Sequence, residues 1–319
     1  MDIQILLYLQ QFRTGAGAIL MDFFSKMTFL SEIQSVIIIM AVIYWCVSKD
    51  FGVYLLMGWH WNRLVNGLMK VTVCAYRPWI REPNIVPDEE TLKTTTGYSF
   101  PSGHTMNAAT VYGGGAIRKD LPKVLRILLG FIFIAAGFSR MYLSVHTIQD
   151  VVIGGVTGIL VMWLTLKLMR WIEAHPDKDW IVVCAGIAAS VAIGIYAGLK
   201  PYPEDFDAAG NLIVDGAKMA KDTFKGIGWC SAFLIGWILE RRYVGFSTDI
   251  PMKDRITRLV GGLLSYYAVN LILVPLIKNW IPGAAGTVAS CFVQMFFIIF
   301  IVPLCIKLTS DGKDRSVPG

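Results

Sequence analysis

TIQDVVIGGVTGILVMWLTLKLMRW, residues 147–171, is almost unbroken apolar chain, with one acid, Asp150, near its start and two bases, Lys167 and Arg170, near its end. About 20 mostly apolar residues are enough for a helix to cross roughly 30 Å of hydrocarbon, so this stretch reads as a membrane span. Outward from it, blocks at 34–48, 51–76, 103–118, 122–141, 180–199, 226–240, 256–277 and 284–308 have the same character. Ile3–Phe12 reads as a short interfacial helix and Ala16–Leu30 as a broken first span, which brings the expected number of spans to nine or ten. Only 16% of the 319 residues are charged and 55% are hydrophobic, against about 25% charged in a soluble domain. The expected fold is therefore all-α, a polytopic transmembrane helical bundle. Met1-Asp2 supplies no basic leader region and no small-residue cleavage site follows, so no cleavable signal peptide is expected.

The net charge of +6 does not point to nucleic acid, because the bases are placed by topology. Arg118, Lys119, Lys123 and Arg126 surround one connection, Lys167, Arg170 and Lys178 a second, and Arg241, Arg242, Lys253, Arg255 and Arg258 a third, while Lys307, Lys313 and Arg315 follow the last span. These connections alternate along the chain and share one side, which the positive-inside rule makes cytoplasmic. The longer loops, 77–102 and 200–225, fall on the other side, and the second holds a turn signal at Asp207–Asn211. Cys46, Cys74, Cys184, Cys230, Cys291 and Cys305 lie in or beside apolar blocks with no CxxC pair, and read as small packing residues rather than a disulfide or zinc framework. Gly226, Gly228, Gly236, Gly261, Gly262, Gly283 and Gly286 suit close helix packing.

Polar side chains at the edge of a span are costly and mark function by default. Three clusters stand out. Lys70 precedes Arg77-Pro78 by about two helical turns, so both cations can share one face and hold an anion; two bases snorkelling at a helix end is the plainer alternative. Pro101-Ser102-Gly103-His104 opens an apolar helix, where free N–H groups and the positive dipole end can cradle a phosphate; the plainer alternative is that Ser102 only caps the helix. Ser139-Arg140 is followed by His146 and Asp150, spaced i, i+4 so that the carboxylate can reach the imidazole; such a pair is also common as structure alone. What the three share is position: with these spans, all three helix ends fall on the side opposite the basic loops. His60, with Trp59 and Trp61, reads as a packing or interhelical hydrogen-bonding residue, and Asn62, Arg63 and Asn66 as a polar stripe able to support the site from behind.

The pattern K-x6-RP, then PSGH, then SR-x5-H-x3-D resembles the type 2 phosphatidic acid phosphatase superfamily at every signature position: Lys70, Arg77, Pro78, Pro101, Ser102, Gly103, His104, Ser139, Arg140, His146 and Asp150. The likeness covers roughly residues 18–172. It implies a six-helix catalytic core, taken as residues 1–175, with about four further transmembrane helices in 176–319. By that resemblance and by their chemistry, Lys70, Arg77 and Arg140 bind phosphate oxygens, with Ser102 and the backbone near Gly103 completing the cradle. His146 attacks phosphorus to give a phosphohistidine, Asp150 holds its tautomer, and His104 protonates the leaving group and then activates water. No cofactor and no metal are expected, since fixed cations take the place of Mg²⁺ and no HExxH or paired-carboxylate motif is present.

An active site at the membrane edge of so apolar a protein implies an amphiphilic substrate, so the expected partners are a phosphorylated lipid and the bilayer, not nucleic acid. For a bacterial source, undecaprenyl diphosphate is the first expectation, by analogy with the family, where an outward-facing site suits recycling of that carrier. Phosphatidic acid, phosphatidylglycerol phosphate and sphingoid-base phosphates are alternatives. A lipid phosphotransferase shares the first half-reaction, and a non-catalytic lipid transporter shares the fold. The additional helices can shape a lipid pocket, form a homodimer interface or brace the core.

Overall fold

The computed structural model describes residues 2–15, 17–95, 97–207 and 209–314. Of the basic residues placed after the last span, Arg315 and the side chain of Lys313 lie outside the described residues, as does Ala208 of the expected turn. The elements run α1 (Asp2–Gly15), α2 (Gly17–Phe29), α3 (Ile33–Val47), α4 (Lys49–Val73), the short α5 (Pro78–Arg81) and α6 (Glu89–Thr94), α7 (103–117), α8 (Lys123–Tyr142), α9 (Ile148–Ala174), α10 (Pro176–Leu199), α11 (Gly216–Leu239), α12 (Met252–Trp280) and α13 (Gly283–Thr309). Among the described residues the only β-pairing is an isolated bridge from Phe206 to Leu212, across a turn that Asp207 closes by accepting from the Asn211 amide at 2.8 Å. All six cysteines are free.

This is the expected all-α polytopic bundle, with fewer full-length apolar helices than the sequence blocks suggested. Among the described residues five are long and apolar enough to cross a membrane, α8, α9, α10, α12 and α13, or up to six if α2 and α3, bent 61° apart at residues 30–32, are counted as one broken span. The difference from the expected nine or ten has local reasons. Block 51–76 falls in α4, where His60, Asn62, Arg63, Asn66 and Lys70 dilute the apolar run. Block 103–118 becomes α7, only about 22 Å long at 1.5 Å per residue. Block 226–240 is the C-terminal part of α11, whose first turns carry Lys218, Lys221, Asp222 and Lys225.

The chain divides into two compact units. The first comprises Met1–Ile37, Trp61–Lys167 and Tyr196–Asp222. Here α1 and α2 pack on α8, with Leu6, Ile85 and Met141 buried together and Phe24 against Tyr142 at a ring separation of 4.4 Å. Val71, Tyr98, Val214 and Met219 form another apolar cluster. Gly97 is required where it stands: its φ is +75°, and an added Cβ would fall 2.4 Å from the Met219 sulfur.

The second unit comprises Ile38–His60, Leu168–Ile195 and Thr223–Gly319. Trp45 and Tyr44 of α3 donate to the Ile298 and Ile299 carbonyls of α13 at 2.9 and 3.2 Å. Lys49 pairs with the buried Glu240 at 2.7 Å, and Arg242 with Asp179 at 2.6 Å. His60 stacks on Phe233 with centroids 4.6 Å apart, the packing role expected of it. Gly228, where a Cβ would meet the Val288 carbonyl at 2.4 Å, and Gly262, against Trp45 at 2.6 Å, do serve close helix approach; Gly261 and Gly283 face open space.

The end of α4 matters to the site, because Arg77 follows it. Cys74 turns left-handed there, with φ +51°. The ammonium of Lys200 covers the terminus, donating to the Val71 carbonyl, to the Thr72 carbonyl at 3.2 Å and to Cys74 Sγ at 3.2 Å. A cation that also bonds the last carbonyls of a helix stabilises by about 0.5–1 kcal/mol. Lys200→Ala is expected to lower stability by that amount in a thermal unfolding series in detergent, whereas Lys200→Arg should retain most of it.

Candidate active site

The three sequence clusters meet inside the first unit. Helix α8 brings Arg140 to its end and then stops: Ser144 takes φ +58°, and the amides of Val145 and His146 fold back onto the Arg140 carbonyl at 3.1 and 3.2 Å. A non-glycine residue in that region costs about 1–2 kcal/mol, and the turn it makes is what sets His146 beside Arg140. Helix α9 then begins with Asp150 in its first turn. Asp150 Oδ2 accepts from the Thr147 amide at 2.8 Å and lies 3.3 Å from His146 Nδ1. The other ring nitrogen, Nε2, lies 2.9 Å from Arg77 Nη1. His146 is 2% exposed. Burial first, then the neighbouring Arg77, push its pKa well below the usual histidine range against the pull of Asp150. The imidazole is therefore neutral at pH 7, with an unprotonated nitrogen available.

Arg77 adjoins that nitrogen, and Lys70 lies within electrostatic reach of the ring. Arg77 is held by the Gly97 carbonyl (2.9 Å from Nε) and the Val145 carbonyl (3.0 Å from Nη1). Burial lowers its pKa to about 10, which still leaves it charged. Lys70 donates to the carbonyls of Tyr98 and Ser99 at 2.7 and 3.1 Å. Arg140 is fully buried, yet among the described residues its Nη1 and Nη2 meet only the hydroxyls of Thr28 and Thr95, at 3.2 and 3.1 Å, and its Nε has no partner. Among the described residues no carboxylate forms an ion pair with Arg140. Lys70, Arg77 and Arg140 thus stand as three cations within electrostatic reach of His104, with donors suited to an anion.

Ser102 caps α7, its hydroxyl accepting from the Thr105 amide at 3.3 Å and its amide donating to the Asp150 carbonyl at 3.0 Å. The capping reading of Ser102 is thus realised, and the same bonds tie the start of α7 to the start of α9. His104 lies in the first turn of α7, within electrostatic reach of Arg140, His146, Arg77 and Lys70. An added Cβ on Gly103 would be in ordinary contact with Asn66. Asn66 holds the Pro101 carbonyl at 3.3 Å, and Asn62 bonds Thr110 at 2.8 Å, so part of the polar stripe on α4 does back the site. All eight residues expected at the site are gathered in this one unit. Three others were not singled out from sequence: Thr28, Thr95 and Ser99, the last within 2.5 Å of Asp150. Thr28 and Ser99 carried a signal, one as a hydroxyl in an apolar block and the other as a near neighbour of Ser102; Thr95 carried none.

A cavity of about 830 Å³ is lined by α7, α8 and α9. Its walls include Thr105 and Gly137, Phe133 and Val156, and Trp163, and none of the eight site residues. Apart from Thr105 its walls are apolar or glycine. Among the described residues no group of three or more His, Cys, Asp or Glu side chains is arranged to hold a metal ion.

Comparison with known proteins gives the same outline. Residues 50–174 match the family model of the PAP2 superfamily, and residues 224–310 match that of the PAP2 superfamily phosphatase transmembrane extension. The chain is 34% identical over 135 residues to phosphatidylglycerophosphatase B of Bacillus subtilis (strain 168), covering 40% of this chain and 62% of that one. It is 27% identical over 165 residues to glucose-6-phosphatase catalytic subunit 1 of Haplochromis nubilus, covering 44% of this chain and 46% of that one. The chain therefore spans less than two thirds of either relative. No solved structure matches it. One family model falls on the helices that carry both site histidines and a second on the helices that follow them, and the chain belongs to the PAP2 superfamily.

Proposed function

We propose that this protein is a lipid phosphate phosphatase that works through a phosphohistidine on His146. The observation that carries the reading is the way this imidazole is presented: Nδ1 towards Asp150 and Nε2 towards the Arg77 guanidinium, with all three groups buried. A phosphate bound beside Nε2 takes over donors from Arg77, Arg140 and Lys70, with Ser102 and the amides near Gly103 completing its cradle. Arg77 then shifts its donor from Nε2 to a phosphate oxygen, which frees the nitrogen lone pair. Nε2 attacks phosphorus in line, the bond to the leaving oxygen breaks, and His104 supplies the proton that oxygen needs. In the second half, His104 takes a proton from water as the water oxygen displaces phosphate from Nε2. Asp150 stabilises the imidazole cation throughout.

The apolar cavity lined by α7, α8 and α9 supports a lipid over a water-soluble ester, because a hydrocarbon chain can lie along it. The likeness to phosphatidylglycerophosphatase B puts phosphatidylglycerol phosphate beside undecaprenyl diphosphate as the first substrates to test. In this reading residues 1–175 form the catalytic part, and the site opens on the extracytoplasmic side.

Purified protein in detergent should release inorganic phosphate from one or both of these lipids. Because fixed cations bind the phosphate, the rate in EDTA should stay within about twofold of the untreated rate. Loss of activity in EDTA that Mg²⁺ restores would count against the reading, and so would absence of release from every lipid phosphate by folded protein.

A further inference from the structure

Ser99 touches both members of the pair on which the proposed reaction depends. It is 1% exposed, and its hydroxyl lies 2.5 Å from Asp150 Oδ2 and 3.3 Å from His146 Nδ1. Its backbone is pinned at both ends: the amide donates to the Ala75 carbonyl at 2.7 Å, and the carbonyl accepts from Lys70 at 3.1 Å. With Gly97 and Tyr98, whose carbonyls hold Arg77 and Lys70, Ser99 belongs to a short strap joining the two N-terminal cations to the His–Asp pair.

The proton inventory fixes the direction of each bond. An ionised carboxylate only accepts, so the short contact requires the Ser99 O–H to donate to Asp150. The lone pairs of the hydroxyl are then left to face Nδ1. Asp150 Oδ2 already takes the Thr147 amide at 2.8 Å and lies 3.3 Å from Nδ1, the same separation Ser99 Oγ has from that nitrogen. The Nδ1 proton is thus shared between two oxygens, and one of them is itself a donor to the other.

We propose that Ser99 is a positioning residue for the nucleophile, its hydroxyl donating to Asp150 and accepting from His146 Nδ1 so that the ring keeps its proton there and Nε2 faces phosphorus. The assignment rests on the reading of His146 as nucleophile and adds a residue to it. It also carries an electrostatic consequence. A donor on Asp150 weakens the pull of that carboxylate on an additional imidazole proton. Without it, Asp150 attracts that proton more strongly, and His146 is blocked by protonation at a higher pH. A residue that merely filled space would not move that titration.

The test is the pH dependence of phosphate release by Ser99→Ala, Ser99→Cys and Ser99→Thr, with His146→Ala in parallel and thermal unfolding to confirm folding. Ser99→Ala and Ser99→Cys are expected to lose about 10–100-fold in kcat with KM changed less than about threefold. Their acidic limb should rise by at least about half a pH unit. Ser99→Thr, which retains a hydroxyl, should recover to within about fivefold of the parent. A folded Ser99→Cys protein with the parent kcat and the parent acidic limb would overturn the assignment, and this variant decides the matter if the alanine variant does not fold. An inactive His146→Ala beside such a result sinks only Ser99, whereas an active His146→Ala sinks the nucleophile and Ser99 with it.

Discussion

His146→Ala is expected to abolish phosphate release, lowering kcat by about 10⁴-fold or more, while the protein still folds and inserts. The catalytic loss is large because no neighbour can stand in for the nucleophile. Asp150 faces His146 through Oδ2, which is already engaged by Ser99 and Thr147, and the partner of Nε2 is the Arg77 guanidinium, which is no nucleophile. The structural loss is small because each partner keeps other bonds. Arg77 retains the Gly97 and Val145 carbonyls, and Asp150 retains Ser99 and the Thr147 amide. The turn that places residue 146 is made by backbone bonds to Arg140, which alanine preserves. The check is a burst experiment with a labelled lipid phosphate, in which the parent accumulates acid-labile, base-stable phosphoprotein and the variant accumulates none. A variant working within about tenfold of the parent would remove His146 from the role.

The parts of this site that the sequence exposed are those that violate the surrounding pattern. Lys70, Arg77, Arg140, His146 and Asp150 stand at the edges of apolar blocks, where polar groups are expensive and so conspicuous. The i, i+4 spacing predicted the proximity of His146 and Asp150, and the structure places them at 3.3 Å. That spacing did not predict what governs their geometry, a left-handed Ser144 and a strap of residues 97–99, because neither leaves a periodic trace. Arg140 depends on Thr28, 112 positions away, and a tertiary contact of that kind is invisible to any window along the chain. The apolar-length count comes out lower than the expected span count for the complementary reason. Hydropathy finds α8 and α9 easily, but a helix such as α4 lowers its own mean hydropathy by carrying the groups that serve the site. Function and membrane signal compete there for the same residues.

Arg140 offers the second large effect, with a signature of its own. Arg140→Met is expected to reduce kcat/KM by about 10³-fold, and Arg140→Lys by about 10²-fold, because an ammonium cannot reproduce a planar fork that reaches two hydroxyls and a phosphate together. Stability should move differently. The guanidinium is fully buried, its hydrogen bonds among the described residues going to Thr28 and Thr95, while Glu32 and Asp88 act on it from farther away. A buried charge without a contacting counter-charge is a cost, and replacing one by an apolar side chain of similar length is often neutral or stabilising. Thr95 has the Thr91 carbonyl at 2.7 Å and Thr28 has Ser139 at 2.8 Å, so neither hydroxyl is stranded by the change. Empty Arg140→Met protein should therefore unfold at the parent temperature or above it. The parent should gain stability on adding inorganic phosphate or vanadate, about 2.7 kcal/mol at a hundred times Kd, and the variant should gain almost none. If the variant were destabilised while empty yet still stabilised by phosphate, Arg140 would be a structural residue, and the anion would be held by Lys70 and Arg77 without it.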